Sequence, residues 1–216
     1  MKFENTEVFN FNCALRGMRN PMNSWNKSDS SYDVVYKDFY LGDKDLKLAQ
    51  SLIHAGSEHR KFLRQIFVSV DITAPIYWWK EFDTYKVGTV ANSTSTMHKL
   101  ASTEITMNCF ETDDVEPMDK YNYSLSCWWS ELIDHLETLR KLYNETKDKR
   151  YWKELIRLLP ESWLQKRTIT MNYENVLNMI RQRSNHKLSE WSKSFIEWAR
   201  SLPYAEKLIF IDGGKE

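Results

Sequence analysis

Arginines gather at three places in this chain, and each gathering has the chemistry of an anion site. Arg181, Arg183 and His186 fall within six residues beside Asn185. Arg183 and His186 are three apart, so a helix would put them on one face. Arg16 and Arg19 flank Gly17 and Met18, and Arg60, Lys61 and Arg64 form the third group. Arg60 and Arg64 are one helical turn apart. A guanidinium is a planar fork that takes a phosphate or carboxylate through two parallel bonds. The plainer reading of such groups is a solvated helix face, or basic residues complementing a helix C-terminus.

Other chemistries find less support. His54, His59 and His98 with Glu58 match no metal-ligand spacing. No Cys-x-x-Cys pair is present to hold zinc. Cys13, near Arg16, is the one thiol beside basic residues, and no local motif supports a Ser-His-Asp or Cys-His nucleophile. The chain has no Gly-rich phosphate loop, which excludes a Rossmann or P-loop site. No catalytic side chain and no metal ligand is assigned on these grounds. The pairs Trp78–Trp79 and Trp128–Trp129 could stack on an isoalloxazine or a base, and at helical spacing they equally fit a core.

These residues need elements to carry them. Residues 2–12 alternate as a strand, with Val8 and Phe9 near its centre. A helical stretch from Ala14 runs into a polar surface loop, Asn26 to Ser31. Asp43 caps a helix that stops near Gly56, and Ser57 opens a short one, SEHRKFLR. Residues 66–72, IFVSVDI, form the best strand. Pro75 suits the first turn of the next helix, IYWWKEFDTYK, which ends at Gly88. The segment TVANSTSTMH reads as a loop, because its Ser, Thr and Asn bond their own backbone. Residues 102–117 are polar and acidic, with ETDDVEP as the most flexible stretch.

The longest helix runs from about Met118 to Lys147, with Leu125, Trp128, Trp129, Leu132, Leu136, Leu139 and Tyr143 as its apolar stripe. Asp148 caps YWKELIRLL. The strand KRTITMN leads to a helix capped by Asn172, with Val176, Leu177 and Ile180 on one face. Ser189 caps SEWSKSFIEWARSL, which Pro203 stops. The sum is an α+β fold in one domain, residues 1–216, with long helices packed on a small β-sheet.

The bulk numbers agree with that class. A length of 216 residues suits one sizeable core, and 42% hydrophobic with 28% charged residues is ordinary for a folded chain. Six glycines, against roughly fifteen at average usage, favour helices over tight hairpins. Thirty basic residues balance thirty acidic ones, which argues against a general nucleic-acid or membrane-surface binder. The three scattered cysteines read as free thiols. With no apolar run long enough to span a bilayer, the expected location is the cytoplasm.

The order of elements and certain short anchors resemble the flavin-dependent thymidylate synthases. Ala74, Pro75 and Ile76 match that family's strand end, Leu159 and Pro160 its Leu-Pro pair, and Asn172, Asn178 and Arg183 its later helix at the family's spacing. The family's Arg-His-Arg-x-x-Ser-x-Asn-Glu-x-Ser-x-Arg-Tyr signature is altered. Its Arg-His-Arg falls on Thr84, Tyr85 and Lys86, and its later positions on Thr89, Ala91, Asn92, Thr94, Thr96 and Met97. Glu174 stands where the family carries an arginine.

The resemblance implies transfer of a methylene from methylenetetrahydrofolate to dUMP, with FAD as hydride donor, NADPH as reductant and no protein nucleophile. It implies a homotetramer whose nucleotide sites are shared between subunits. It places Lys86, Thr89, Asn172 and Asn178 at the cofactor. Arg183, His186, Asn92 and Thr94 fall at a pyrimidine nucleotide, with Arg16 and Arg19 as further anion-binding groups. Losing an arginine's charge-assisted bond costs about 1.5–3 kcal/mol, so the altered signature predicts slow turnover. The competing reading is a non-catalytic nucleotide-binding protein on the same oligomeric scaffold, a sensor or sequestering protein. A third is an assembly whose aromatic helices serve oligomerisation alone.

Overall fold

The computed structural model describes residues 1–36, 38–113 and 124–211. The strands are β1 (Lys2–Phe9), β2 (Ser31–Asp33), β3 (Asp38–Tyr40), β4 (Phe67–Pro75), β5 (Val90–Ser93) and β6 (Leu164–Asn172). The helices are α1 (Phe11–Met18), α2 (Asp43–His54), α3 (Ile76–Phe82), α4 (Thr96–Lys99), α5 (Leu125–Thr146), α6 (Lys149–Leu158), α7 (Tyr173–Arg183), α8 (Ile196–Arg200) and α9 (Ala205–Leu208). A four-stranded sheet has the order β1-β4-β6-β5, and β2 pairs antiparallel with β3. The class is α+β, as the sequence predicts. No helix among the described residues is long and apolar enough to cross a membrane.

The chain forms two compact units, one of residues 1–2, 72–84 and 92–167, the other of residues 3–71, 85–91 and 168–216. In the first, α5 and α6 close over a core of Leu100, Ile105, Phe110, Leu136, Leu139 and Leu155. Glu137 is buried beside it, accepting the Ile105 N–H and pairing with Arg140. Asp148 caps α6 by accepting the Arg150 N–H. Trp78 and Trp79 are fully buried with Phe82, their rings 4.8 Å apart, so this pair belongs to the core. Trp128, by contrast, is about half exposed on the α5 stripe.

The second unit buries one face each of α1 (Phe11, Ala14, Leu15, Met18), α2 (Ala49, Ile53) and α7 (Val176, Leu177, Ile180). Tyr173 lies under them, its ring edge-on to Phe11 and its hydroxyl donating to the Pro203 carbonyl at 2.7 Å. Phe195 and Trp198 complete this core together with Trp191. The β2–β3 connection turns on Asp33, whose carboxylate accepts the Val35 and Tyr36 N–H groups.

Several elements differ from the sequence reading, each for a local reason. The polar stretch after Gly88 holds β5 and α4 rather than a loop. Ladder bonds at a sheet edge supply what its polar side chains do not, and Ser95 caps α4 by accepting the His98 N–H. Residues 57–60 form turns followed by a 3₁₀ helix, Lys61–Gln65, because the His59 and Arg60 N–H groups fold back onto Gly56. Asp43 is the first residue of α2, and Gly42 is its cap. The helix after Pro75 ends at Phe82, short of Gly88. The strand begun at β1 stops at Phe9, and α1 starts before Ala14. Ser189 makes no side-chain cap, and Glu190–Phe195 winds as a π-helix before α8. Residues 114–117 of the acidic stretch and 118–123 of the expected long helix lie outside the described residues.

The α5 stripe thus contains a fully buried leucine and a half-exposed tryptophan. Leu136→Ala should cost about 2–5 kcal/mol in urea unfolding, through lost transfer energy and a residual cavity. Trp128→Ala should stay within about 0.5 kcal/mol of the parent despite deleting the larger side chain.

Candidate functional site

Helix α7 organises the polar residues of the second unit. Its start is fixed by a reciprocal capping box: Asn172 Oδ1 accepts the Asn175 N–H at 3.0 Å, and Asn175 Oδ1 accepts the Asn172 N–H at 3.2 Å. Such a box satisfies two amide groups that a helix N-terminus otherwise leaves open. Glu174, in the first turn, is buried and faces two guanidinium groups. Arg60 Nε donates to it at 3.0 Å, and Arg64 donates through both Nε and Nη2. Arg60 also donates from Nη2 to Asn178 Oδ1 at 3.2 Å.

Burial works to raise the Glu174 carboxyl, but hydrogen bonds from Arg64 and Arg60, with their charges, outweigh it and hold the group below its ordinary value. Arg60 and Arg64 are therefore not a solvated face, whereas Lys61 between them is exposed beside Glu58. The two arginines are the counter-charge of Glu174 in α7.

A second strap runs along α7 from residues 85–89. Asn175 Nδ2 donates to the Val87 carbonyl at 2.7 Å, and Tyr85 OH donates to Gln182 Oε1 at 2.9 Å. Gly88 sits between at φ +76°, in the left-handed region that favours glycine. A Cβ there would lie 2.9 Å from both Asn172 Nδ2 and Asn175 Oδ1, closer than real contacts allow. The Thr89 hydroxyl donates to the Tyr85 carbonyl, tightening the turn. Lys86 points outward from this strap and is exposed.

At the far end of α7, Arg183 is held by aromatic groups from two other segments. Its Nε donates to Tyr85 OH at 2.9 Å, and its guanidinium carbon lies 5.6 Å from the Tyr85 ring and 5.3 Å from the Trp191 ring. Trp191 is fully buried and comes from the π-helical segment. His186 shapes the turn after α7: its N–H donates to the Arg183 carbonyl, and its Nδ1 accepts the Leu188 N–H.

Asn172, Asn178 and Arg183 thus lie along one helix with His186 in the turn after it, and Thr89 and exposed Lys86 lie on the strap in the same unit. Arg19 stands elsewhere, buried in an ion pair with Asp45 at 2.5 Å. The Asp45 carboxylate also accepts Ser28 Oγ and the Ser30 N–H. Arg16 is exposed, with Nη2 3.9 Å from Cys13 Sγ. Asn92 and Thr94 belong to the other unit. There Thr94 bonds the Lys166 carbonyl through N–H and Oγ1, and Asn92 is exposed. Sequence reasoning gave no role to Asn175, Gln182 or Trp191. The Asn-x-x-Asn spacing signals the capping box, whereas no sequence period marks a π-helical turn.

The clamp on Glu174 has a consequence for stability. Its folded-state value is depressed, so its contribution is fully present above the ordinary 4.5 and is lost as pH falls through the folded value. Glu174→Gln should flatten that part of the profile, so that the gap between parent and variant narrows below about pH 5. Glu174→Ala leaves the Arg60 charge buried alone and should cost about 3–5 kcal/mol at neutral pH, read by urea unfolding.

No protein-family model matches the sequence, and none of the curated proteins matches it. Solved structures do. A crystal structure of flavin-dependent thymidylate synthase from Helicobacter pylori, complexed with FAD and dUMP, superposes with a TM-score of 0.70 at 19% identity, covering 100% of both chains. A second structure of the Helicobacter pylori protein with FAD and dUMP gives 0.72 at 18% identity over 98% of each chain. At this identity the likeness speaks for the fold. The chain has the fold of the flavin-dependent thymidylate synthases from end to end, in line with its Ala-Pro-Ile, Leu-Pro and Asn-Asn-Arg anchors.

Proposed function

We propose that the protein binds an anionic pyrimidine nucleotide of the dUMP class through Arg183, and that flavin-dependent methylation is weak or lost in it. One observation carries this reading. Arg183 occupies the third anchor of the later helix, and its guanidinium is held on Tyr85 and Trp191 in a fold whose solved relatives contain dUMP. A fixed guanidinium suits a phosphate or a pyrimidine carbonyl, because little freedom is left to lose on binding.

Three of the groups that the resemblance gives to a flavin already bond within the protein. Asn172 Oδ1 caps α7, Asn178 Oδ1 accepts from Arg60, and the Thr89 hydroxyl donates to the Tyr85 carbonyl. Lys86 is a point charge, which cannot fork onto a diphosphate as an arginine does. Glu174 adds a carboxylate where the family has a cation. This donor set does not fit a flavin, and recognition of the nucleotide stands apart from it. On this reading the protein is a homotetramer with nucleotide sites shared between subunits, working in the cytoplasm as a nucleotide sensor or sequestering protein.

Titration calorimetry with dUMP tests the nucleotide. The parent should bind, and folded Arg183→Ala, compared below its own melting temperature, should weaken binding by about 1.5–3 kcal/mol. Equal affinity in both proteins would remove Arg183 from the site. Supplied with FAD, NADPH, dUMP and methylenetetrahydrofolate, the protein should form little thymidylate and show weak flavin absorbance near 450 nm after purification. Vigorous turnover would restore the enzymatic reading. Light scattering should give a native mass near four times 25.8 kDa, and a monomer would rule out sites shared between subunits.

A further inference from the structure

We propose that the β2–β3 hairpin is a self-association surface, whose exposed turn packs against the same turn of a second copy of this chain. This rests on the reading of the protein as an assembly of like chains, and not on the use of Arg183. The turn is apolar where a solvent-facing turn is ordinarily built from Gly, Pro, Asn, Asp and Ser. Val34, Val35 and Tyr36 are 77%, 83% and 82% exposed, and Tyr32 and Tyr40 are exposed on the flanking strands. Elsewhere among the described residues, large exposed apolar side chains are never adjacent in the chain. A run of three works against solubility unless something covers it.

The turn can be covered at low cost. Asp33 accepts the Val35 and Tyr36 N–H groups at 2.8 and 3.0 Å, and Asp38 accepts the Phe39 N–H at 2.9 Å. Burying the turn strands none of these donors, and a stranded donor is what makes desolvating backbone expensive. The base of the hairpin is already ordered. Tyr204 OH donates to the Phe39 carbonyl at 2.6 Å and accepts the Leu41 N–H at 3.1 Å, while the Phe39 ring stacks on Phe11. From the other strand, Ser30 Oγ accepts the Gly42 N–H at 3.0 Å. A projection with a fixed base loses less conformational freedom when its tip is covered.

Area and symmetry favour a second copy as the occupant. Covering the turn and the two tyrosines would hide on the order of 600 Å² per copy and about 1,200 Å² for a pair, the lower end of specific, stable interfaces. A two-fold contact sets one patch against itself, which an apolar turn tolerates and an acidic one does not. In such a pair Val34, Val35 and Tyr36 form the centre, with the Asp33 and Asp38 carboxylates at the rim. An apolar centre rich in tyrosine with a polar rim is the usual anatomy of an interface. The cover also suits the hairpin itself. Its strands are short and oppose Asp33 to Asp38, a weak ribbon when left alone in water.

The test is light scattering on Val35→Asp at micromolar concentration. Position 35 is exposed in the single chain, so circular dichroism should match the parent. A two-fold contact would set two new carboxylates face to face, so the native mass should fall to half that of the parent or less. Val35→Leu should keep the parent's mass. An unchanged mass in Val35→Asp would overturn the hairpin as an interface while leaving assembly through other surfaces standing. A parent that runs as a single chain would overturn both.

A second readout locates the occupant and decides the matter should Val35→Asp fail to fold. In Val34→p-benzoylphenylalanine, irradiation should give a covalent pair whose cross-link maps by mass spectrometry to residues 31–40 of the second copy. Cross-links elsewhere on the second copy, or no covalent pair, would overturn the assignment.

Discussion

A carboxylate buried in the first turn of α7 must keep its two arginines, and much of the second unit follows from that requirement. Glu174 without Arg60 and Arg64 would be a desolvated charge next to a helix start, and the arginines without it would be buried or half-buried cations. The pairing therefore fixes residues 56–66 against α7, and those residues in turn supply Phe62, Leu63 and Ile66 to the core. Asn178 joins the same arginine one turn later. The helix that carries Arg183 is thus secured at its beginning by charge and at its end by aromatic rings.

This arrangement explains why a chain with thirty basic residues and zero net charge need not be a generic anion binder. Its cations are unequal. Arg19 and Arg60 are buried in ion pairs, Arg140 is bound to Glu137, and Arg167 lies 4.3 Å above the Trp79 ring while pairing with Asp83. Arg183 adds contacts of another kind, to a phenol and two rings.

Much of this was legible in the sequence where signals are local. The cap at Asn172, the cap at Asp148, the strand over residues 66–72 and the apolar stripe of α5 each follow from spacing over a few residues. What escaped depends on partners distant in the chain. Nothing near Glu174 announces that residues more than a hundred positions earlier neutralise it. Nothing near Val90 announces that a polar stretch will become a sheet edge. Of the site, Arg183 could be singled out from its place on a helix, but its aromatic support could not. That support joins a strap to a π-helical turn, and neither has a sequence period.

Gly88 sets a rule for how this chain can change. The amides of Asn172 and Asn175 occupy the space that any side chain at position 88 would claim, and the backbone there has a positive φ. A side chain at 88 would therefore have to push the Asn172 and Asn175 amides aside while holding a positive φ, which would loosen the cap of α7. The three positions form a linked set. In a sequence whose signature segment has otherwise been rewritten, this set is where substitutions should be correlated.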